Sequence, residues 1–366
     1  MKQIYSIALL FLFLYVAPNT LLAQCGDVTL ESLTDPGPFN VDTLTEADGI
    51  RNGPDYAGAT IYYPTDATPP YAGIAIVPGF TAAPSSVEDW GPFYASHGIV
   101  TIIIGTNSPF DFPEARAAAL LDALETLRQE NTRETSPLED KIDAEKFAVS
   151  GWSMGGGGAQ RAAVLDNTIK GVVALCPWLP DPSLNHNSPV VIFSGQNDPT
   201  APPAQHANPH YNATPSTTEK LLFEIENGNH SVANSPTGGN GVIGKIALSW
   251  LKLYVEDNDC YCPLLTESLL DNPPAASNVQ TNIECAPILG IDDLTSSRIK
   301  VFPNPTHDLL TVTVDTNVSF EIYSPLGQQV LKGRLHPNNN QINIANLANG
   351  LYYLHLEGQT IKIIKN

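Results

Sequence analysis

Lys146-Phe147-Ala148-Val149-Ser150-Gly151-Trp152-Ser153-Met154-Gly155-Gly156-Gly157-Gly158-Ala159-Gln160-Arg161-Ala162-Ala163-Val164-Leu165 is the stretch whose reading decides the fold. Residues 146–150 form a short apolar run that reads as a buried strand, and residues 159–165 read as a helix. Between them lies Gly-x-Ser-x-Gly, with small residues on both sides of Ser153. Strand, sharp turn and helix in that order make a nucleophile elbow, which lifts a serine hydroxyl above the edge of a sheet. The same turn aims the Met154 N–H and the positive end of the following helix at whatever the serine attacks.

Outward from this stretch, strands and helices alternate. Residues 57–64, 71–77, 100–104, 171–176, 190–194 and 220–225 read as strands. Helices are expected at 113–130, opened by Pro113, and from about residue 243 to 255. Continuous apolar runs such as Val100-Thr101-Ile102-Ile103-Ile104 mark strands covered on both faces. The pattern predicts an α/β unit with a mostly parallel central sheet.

A serine needs a base to take its proton and an acid to orient that base. In such a sheet they follow later strands, in the order serine, acid, histidine. Residues 190–194 run into Gly195-Gln196-Asn197-Asp198, and residues 220–225 into Glu226-Asn227-Gly228-Asn229-His230-Ser231. Asp198 and His230 are therefore the expected acid and base. Asp181 is a rival acid. His97, His186, His206 and His210 do not follow a strand in the right place, and His307, His336 and His355 lie near the C-terminus.

The loop Val77-Pro78-Gly79-Phe80-Thr81 follows an early strand, so the Phe80 N–H is expected to join that of Met154 in an oxyanion hole. The Phe80 ring and Trp178, just after the 171–176 strand, then flank the scissile ester as a clamp for a flat or aromatic acyl group. Trp152, beside the nucleophile, is a further expected substrate contact. The short segment between Trp178 and Val190 has no room for a lipase-type lid, so the cleft should be open.

Composition bounds the remainder. The chain has 366 residues and a net charge of −20, which argues against nucleic acid and anionic membranes as partners and fits a neutral substrate. Residues 1–23 read as a secretory signal peptide, and no later apolar run is long enough to span a membrane. Cys25 sits one residue late for lipidation. Cys176 lies in an apolar run and is expected as a buried free thiol. Of Cys25, Cys260, Cys262 and Cys285, a bond between Cys260 and Cys262 would be strained, so Cys285 should pair with one of those two. No spacing supports a metal site, and no cofactor is expected.

Periodicity dissolves into Asn, Pro, Ser and Thr between residues 263 and 296, which reads as a linker. Short alternating strands follow at 299–302, 309–314, 319–323, 341–344, 351–356 and 360–364, predicting a small all-β sandwich. The expected division is a signal peptide at 1–23, a catalytic domain at 24–262, a linker at 263–296 and a sandwich at 297–366.

At this point the chain resembles the bacterial polyester hydrolases, which include cutinase-like enzymes and poly(ethylene terephthalate) hydrolases. The resemblance covers about residues 45–260. It rests on Pro78-Gly79-Phe80-Thr81, Ser96-His97-Gly98-Ile99-Val100, Gly151 to Gly158, Pro177-Trp178, Asn197-Asp198 with Ala201-Pro202, and Gly228-Asn229-His230-Ser231. It implies an α/β-hydrolase fold with Ser153, Asp198 and His230 as triad, Phe80 and Met154 as oxyanion donors and Trp178 as clamp. His206 matches a position where many cutinases keep a histidine near that tryptophan, and the resemblance counts it among the substrate contacts. Phe80 stands where the family usually has Tyr, and Gly195 and Val232 replace cysteines that some members bond beside the active site. The tail, through Val301-Phe302-Pro303-Asn304-Pro305, Asn349-Gly350-Leu351-Tyr352-Tyr353 and Ile361-Lys362-Ile363-Ile364-Lys365, resembles the C-terminal sorting domain of type IX secretion in Bacteroidota. It implies an export address, with release or cell-surface attachment.

The expectation is a secreted, monomeric serine esterase cleaving polyesters through an acyl-enzyme, with the type IX machinery as partner of the tail. The alternative is a carboxylesterase or lipase for small or acylglycerol esters. A surface adhesion protein on an inactive hydrolase fold is disfavoured by an intact and correctly ordered triad.

Overall fold

The computed structural model describes residues 25, 28–29, 32–268, 276–285, 300–314, 316–337, 339–356 and 359–366. The expected signal peptide at 1–23 lies outside them. The chain divides into two units, residues 1–288 and 289–366.

The first unit is built on a nine-stranded sheet. Its strands are β1 (Val41–Thr45), β2 (Tyr56–Pro64), β3 (Tyr71–Val77), β4 (Val100–Thr106), β5 (Ile142–Trp152), β6 (Gly171–Leu175), β7 (Val190–Gly195), β8 (Lys220–Ile225) and β9 (Ala276–Thr281). The order across the sheet is β1-β2-β4-β3-β5-β6-β7-β8-β9. From β4 to β8 every neighbour is parallel. The edges β1, β2 and β9 run antiparallel. The helices are α1 (Trp90–Ser96), α2 (Pro113–Glu130), α3 (Met154–Leu165), α4 (Ala207–Ala213) and α5 (Val242–Tyr254). This is the α/β-hydrolase arrangement that the elbow implies.

The central strands read as unbroken apolar runs because both faces are covered. In β3, Ile74 and Ile76 pack with Trp90, Phe93 and Trp250 of α1 and α5. Ala75 and Val77 point the other way, against Leu120 and Leu124 of α2 and Ala159 of α3. All four β3 side chains are fully buried, and burying each of Ile74, Ile76 and Val77 contributes about 1.5–3 kcal/mol. Two layers of helix around one sheet leave only the loops at its C-terminal edge free to carry chemistry.

The expected linker needs correction. Residues 276–281 form β9, which pairs with β8 at the sheet edge, and Cys285 is bonded to Cys262. The α/β unit therefore runs past residue 262. The strand was hidden because Ala276-Ser277-Asn278-Val279-Gln280-Thr281 is polar and none of it is fully buried. A second bond joins Cys25 to Cys260, and Cys176 is free and buried.

The second unit has a three-stranded sheet and a four-stranded sheet. The first contains β10 (Val301–Phe302), β11 (Leu309–Val312) and β14 (Gln341–Asn343). The second contains β13 (Gln329–Leu335), β12 (Val318–Tyr323), β15 (Gly350–Leu356) and β16 (Gln359–Lys365). Among the described residues its strands all pair antiparallel, and an isolated parallel bridge joins Thr306 to Lys365. Leu310, Val312, Phe320, Ile322, Ile342, Leu354 and Ile363 form its core. Among the described residues, no helix is long and apolar enough to cross a membrane.

Candidate active site

β5 ends at Trp152 and α3 begins at Met154, so Ser153 alone makes the turn. Its backbone sits at φ 57°, ψ −120°, a region that a non-glycine residue enters only when its surroundings hold it there. Ser153 N–H donates to Leu175 O (2.9 Å), while Ser153 O accepts from Trp178 N (2.8 Å) and Gly157 N (3.1 Å). The turn needs glycine around it because backbone passes so close. A Cβ on Gly155 would lie 2.3 Å from Val77 O, and one on Gly79 would lie 2.9 Å from Ser153 Cβ.

Asp198 follows β7 and His230 follows β8. His230 Nδ1 lies 2.6 Å from Asp198 Oδ2, and His230 Nε2 lies 2.9 Å from Ser153 Oγ. Asp198 Oδ1 accepts from the N–H of Thr200 (2.8 Å) and Ala201 (2.9 Å). Burial pushes the Asp198 pKa up, but the His230 hydrogen bond and these backbone donors outweigh it and hold the carboxyl below its ordinary value. An ionised carboxylate only accepts, so Nδ1 carries the proton and Nε2 is the acceptor for the serine O–H. That is the tautomer a general base requires.

The acid and histidine loops are tied together by main chain. Asn197 N donates to Gly228 O (2.8 Å) and Gln196 N to Ile225 O (3.0 Å). A Cβ on Gly195 would lie 2.5 Å from Asn229 O and 2.6 Å from Gly228 O. The two loops are thus held by close backbone packing. Trp152 adds a further tie, its indole N–H donating to His230 O (2.8 Å) and its ring lying 5.0 Å from the imidazole.

Opposite the serine, among the described residues the Phe80 N–H has no main-chain acceptor. The Met154 N–H opens α3 and so has none within the helix. Both are free to meet an anion. The loop that carries Phe80 is held from behind by Arg116, in the first turn of α2. Arg116 is fully buried. Its guanidinium donates to Pro78 O (2.8 Å), Asp111 O (3.0 Å) and Pro109 O (3.4 Å). Thr81 N also donates to Pro109 O (2.8 Å). Burial lowers the Arg116 pKa to about 10, so the cation persists at neutral pH.

Phe80 is exposed and Trp178 half-buried. Two aromatics that the sequence reading passed over connect them. Phe110 lies 5.7 Å from Phe80 and Phe112 lies 6.4 Å from Trp178, centroid to centroid. His206 is buried behind Trp178, its ring 5.6 Å from the indole. His206, expected among the substrate contacts, thus packs against Trp178. Asp181, the rival acid, is exposed and bonded to Ser183. His186 and His210 are buried elsewhere, and burial lowers the pKa of each to about 4. Among the described residues no cluster could hold a metal.

Residues 22–285 match the family described as PET hydrolase-like, and residues 300–366 match the secretion system C-terminal sorting domain. A bis(hydroxyethyl) terephthalate hydrolase of Streptomyces coelicolor is 36% identical over 240 residues, covering 64% of this chain and 74% of the relative. Cutinase est1 of Thermobifida alba is 38% identical over 231 residues, covering 63% of this chain and 75% of the relative. Cutinase 2 of Thermobifida cellulosilytica is 36% identical over 245 residues, covering 65% of this chain and 87% of the relative.

Proposed function

The chain belongs to the PET hydrolase-like family, and on that premise we propose that it is an exported serine hydrolase that cleaves polyesters, aromatic polyesters among them, through an acyl-enzyme at Ser153. The observation that carries the reading is the hydrogen-bonded line from Asp198 through His230 to Ser153 Oγ.

His230 Nε2 takes the Ser153 proton as Oγ attacks the ester carbonyl carbon. The carbonyl oxygen becomes an oxyanion held by the N–H groups of Phe80 and Met154, a contribution of about 3–4 kcal/mol per donor in such sites. Asp198 keeps the imidazolium oriented and balances its charge. His230 then gives the proton to the leaving alcohol oxygen, and the acyl group stays on Ser153. Water enters, His230 removes its proton, the carbonyl re-forms and the acid leaves with Oγ reprotonated. Nothing in the sequence needs a cofactor.

Phe80 and Trp178 serve as flat surfaces on either side of the reacting ester. The segment 179–189 carries no helix or strand, and the cleft stays open to a polymer whose bulk lies outside. Trp178→Ala should lower release of soluble product from amorphous aromatic polyester film more than it lowers turnover of a short p-nitrophenyl ester. The ratio of the two rates should fall by about two- to tenfold, the worth of one aromatic contact. An unchanged ratio would favour small esters as the substrates the cleft is shaped for.

The second unit is the export address in this reading. Residues 300–366 engage the type IX machinery, and the α/β unit works as a monomer.

A further inference from the structure

The loop that carries His230 has little regular structure of its own to hold it. Residues 226–241 contain no helix or strand. Loops of that length are uncommon in compact domains, and keeping one in a single conformation takes specific contacts. Ala233, three residues after His230, is where this loop reaches the interior. It is fully buried and belongs to the core that includes Trp90 of α1 and Trp250 of α5.

Both polar atoms of the Ala233 main chain meet side chains. Its carbonyl oxygen accepts a hydrogen bond from Trp90 Nε1 at 3.2 Å. Its N–H has no main-chain acceptor among the described residues and faces the thiol of Cys176. Cys176 is buried and free. Burial pushes its pKa far above the ordinary thiol range, so it stays a neutral thiol whose sulfur is a weak acceptor. The same sulfur faces the N–H of Gly195, at the head of the acid loop.

Trp90 is a rigid donor. It is fully buried, its ring stacked on Tyr94 at 5.1 Å and set edge-on to Phe93 at 5.8 Å. Trp250 supplies the contrast within the same core. It too is fully buried, yet its Nε1 has no hydrogen-bond partner among the described residues. Both indoles fill space, and Trp90 also reaches the histidine loop.

We propose that Trp90 is a positioning residue for His230, holding Ala233 by its carbonyl oxygen so that the imidazole stays on the line between Asp198 and Ser153. Cys176 is its counterpart at the Ala233 N–H. Trp152 fixes the loop at His230 itself, by donating to His230 O, and Trp90 fixes it three residues further on. This role rests on the reading of Ser153 and His230 as nucleophile and base, and it holds whichever ester is cleaved.

The test measures kcat and KM for a short p-nitrophenyl ester well below the melting temperature, together with the melting temperature itself. Trp90→Phe keeps an aromatic ring and removes the donor. It should lower kcat about tenfold or more, since misplacing a reacting group by about 1 Å can cost about a hundredfold. KM should change little, because His230 serves acylation and deacylation alike and the two rates fall together. Trp250→Phe is the control. It makes the same truncation in the same core, so it should lower the melting temperature by a comparable amount and leave kcat at the wild-type value. Cys176→Ala should also lower kcat, and Cys176→Ser, which keeps an acceptor at that place, should recover part of the loss. A wild-type kcat in Trp90→Phe, or an equal loss of kcat in Trp90→Phe and Trp250→Phe, would overturn the role. If Trp90→Phe does not fold, a wild-type kcat in Cys176→Ala would overturn it instead. A wild-type protein that turns over no p-nitrophenyl ester would overturn the reading of Ser153 on which the role rests.

Discussion

Ser153 holds a backbone conformation that the chain tolerates only because three main-chain hydrogen bonds fix it. The same bonds place its Oγ against His230, so strain and reactivity share one origin. Ser153→Ala should cut ester turnover by several orders of magnitude with the fold intact, and His230→Ala by a similar factor, since nucleophile and base act as a unit. Asp198→Ala should cost somewhat less. Retention of a tenth of wild-type turnover by Ser153→Ala would make the elbow a purely structural turn. Asp198 also fixes the sign of the pH response. With its carboxyl held below the ordinary carboxylate range by the His230 hydrogen bond and two backbone donors, it is ionised at neutral pH. Proton abstraction from the serine needs an imidazole base in its neutral form. Activity should rise with pH from the acid side and level off in mild alkali. An optimum near pH 4 in a pH–rate profile would point instead to a carboxylate mechanism.

At the scale of elements, the acid loop and the histidine loop work as one piece because Gly195 lets their backbones touch. Gly195→Ala puts a Cβ 2.5 Å from Asn229 O, and overpacking of this kind costs about 1–3 kcal/mol. The variant should show a lowered melting temperature and a lowered kcat, because Asp198 and His230 sit on the loops that must part. A full wild-type kcat in Gly195→Ala would mean that the triad does not depend on this contact. Arg116 offers the matching test on the other wall: Arg116→Met keeps the stem but removes the donors to Pro78 and Pro109, and should lower kcat. Arg116→Lys should recover part of the loss.

These elements also mark how far the sequence could be read. The hydrogen-bonded line of Ser153, His230 and Asp198 was legible because strand, turn and residue type coincide at each of them. The strands β3 to β8 were legible because burial on both faces leaves largely apolar runs, and β2 because its second half, Ile61-Tyr62-Tyr63, is buried. The edges were not: β1 buries only Leu44, and β9 is polar. Helix α1 was masked by Gly91 and Pro92, although a proline in the first turn lacks only an N–H that no helix uses. Phe110, Phe112 and Arg116 were missed for a different reason. Their roles depend on Phe80 and Trp178 arriving from distant strands, which no local spacing records. In the second unit β13 escaped because Lys332, Gly333 and Arg334 interrupt an otherwise apolar strand.

Over the whole molecule, His186 and His210 make stability depend on pH. Both are buried neutral with pKa values of about 4, against about 6.5 in an unfolded chain. Their contribution is present above about pH 6.5 and is lost as pH falls toward about 4, because the unfolded chain takes up protons first. The melting temperature should drop between pH 7 and pH 5, and a flat profile there would contradict their burial. Chain truncation tests the boundary between the units. Ending the chain after residue 290 keeps β9 and both disulfides, and should leave turnover of a soluble ester intact while export from a type IX host fails. Ending it after residue 262 removes β9 and the partner of Cys262, and should lower the melting temperature.

The central claim is that Ser153 and its partners hydrolyse the ester bonds of a polymer. Amorphous poly(ethylene terephthalate) film incubated with the purified wild-type protein, and separately with Ser153→Ala, tests it most directly when soluble products are separated by chromatography. The wild type should release aromatic acid and its hydroxyethyl esters, and Ser153→Ala none above background. Turnover of short p-nitrophenyl esters by the wild type, with no aromatic product released from the film, would contradict it.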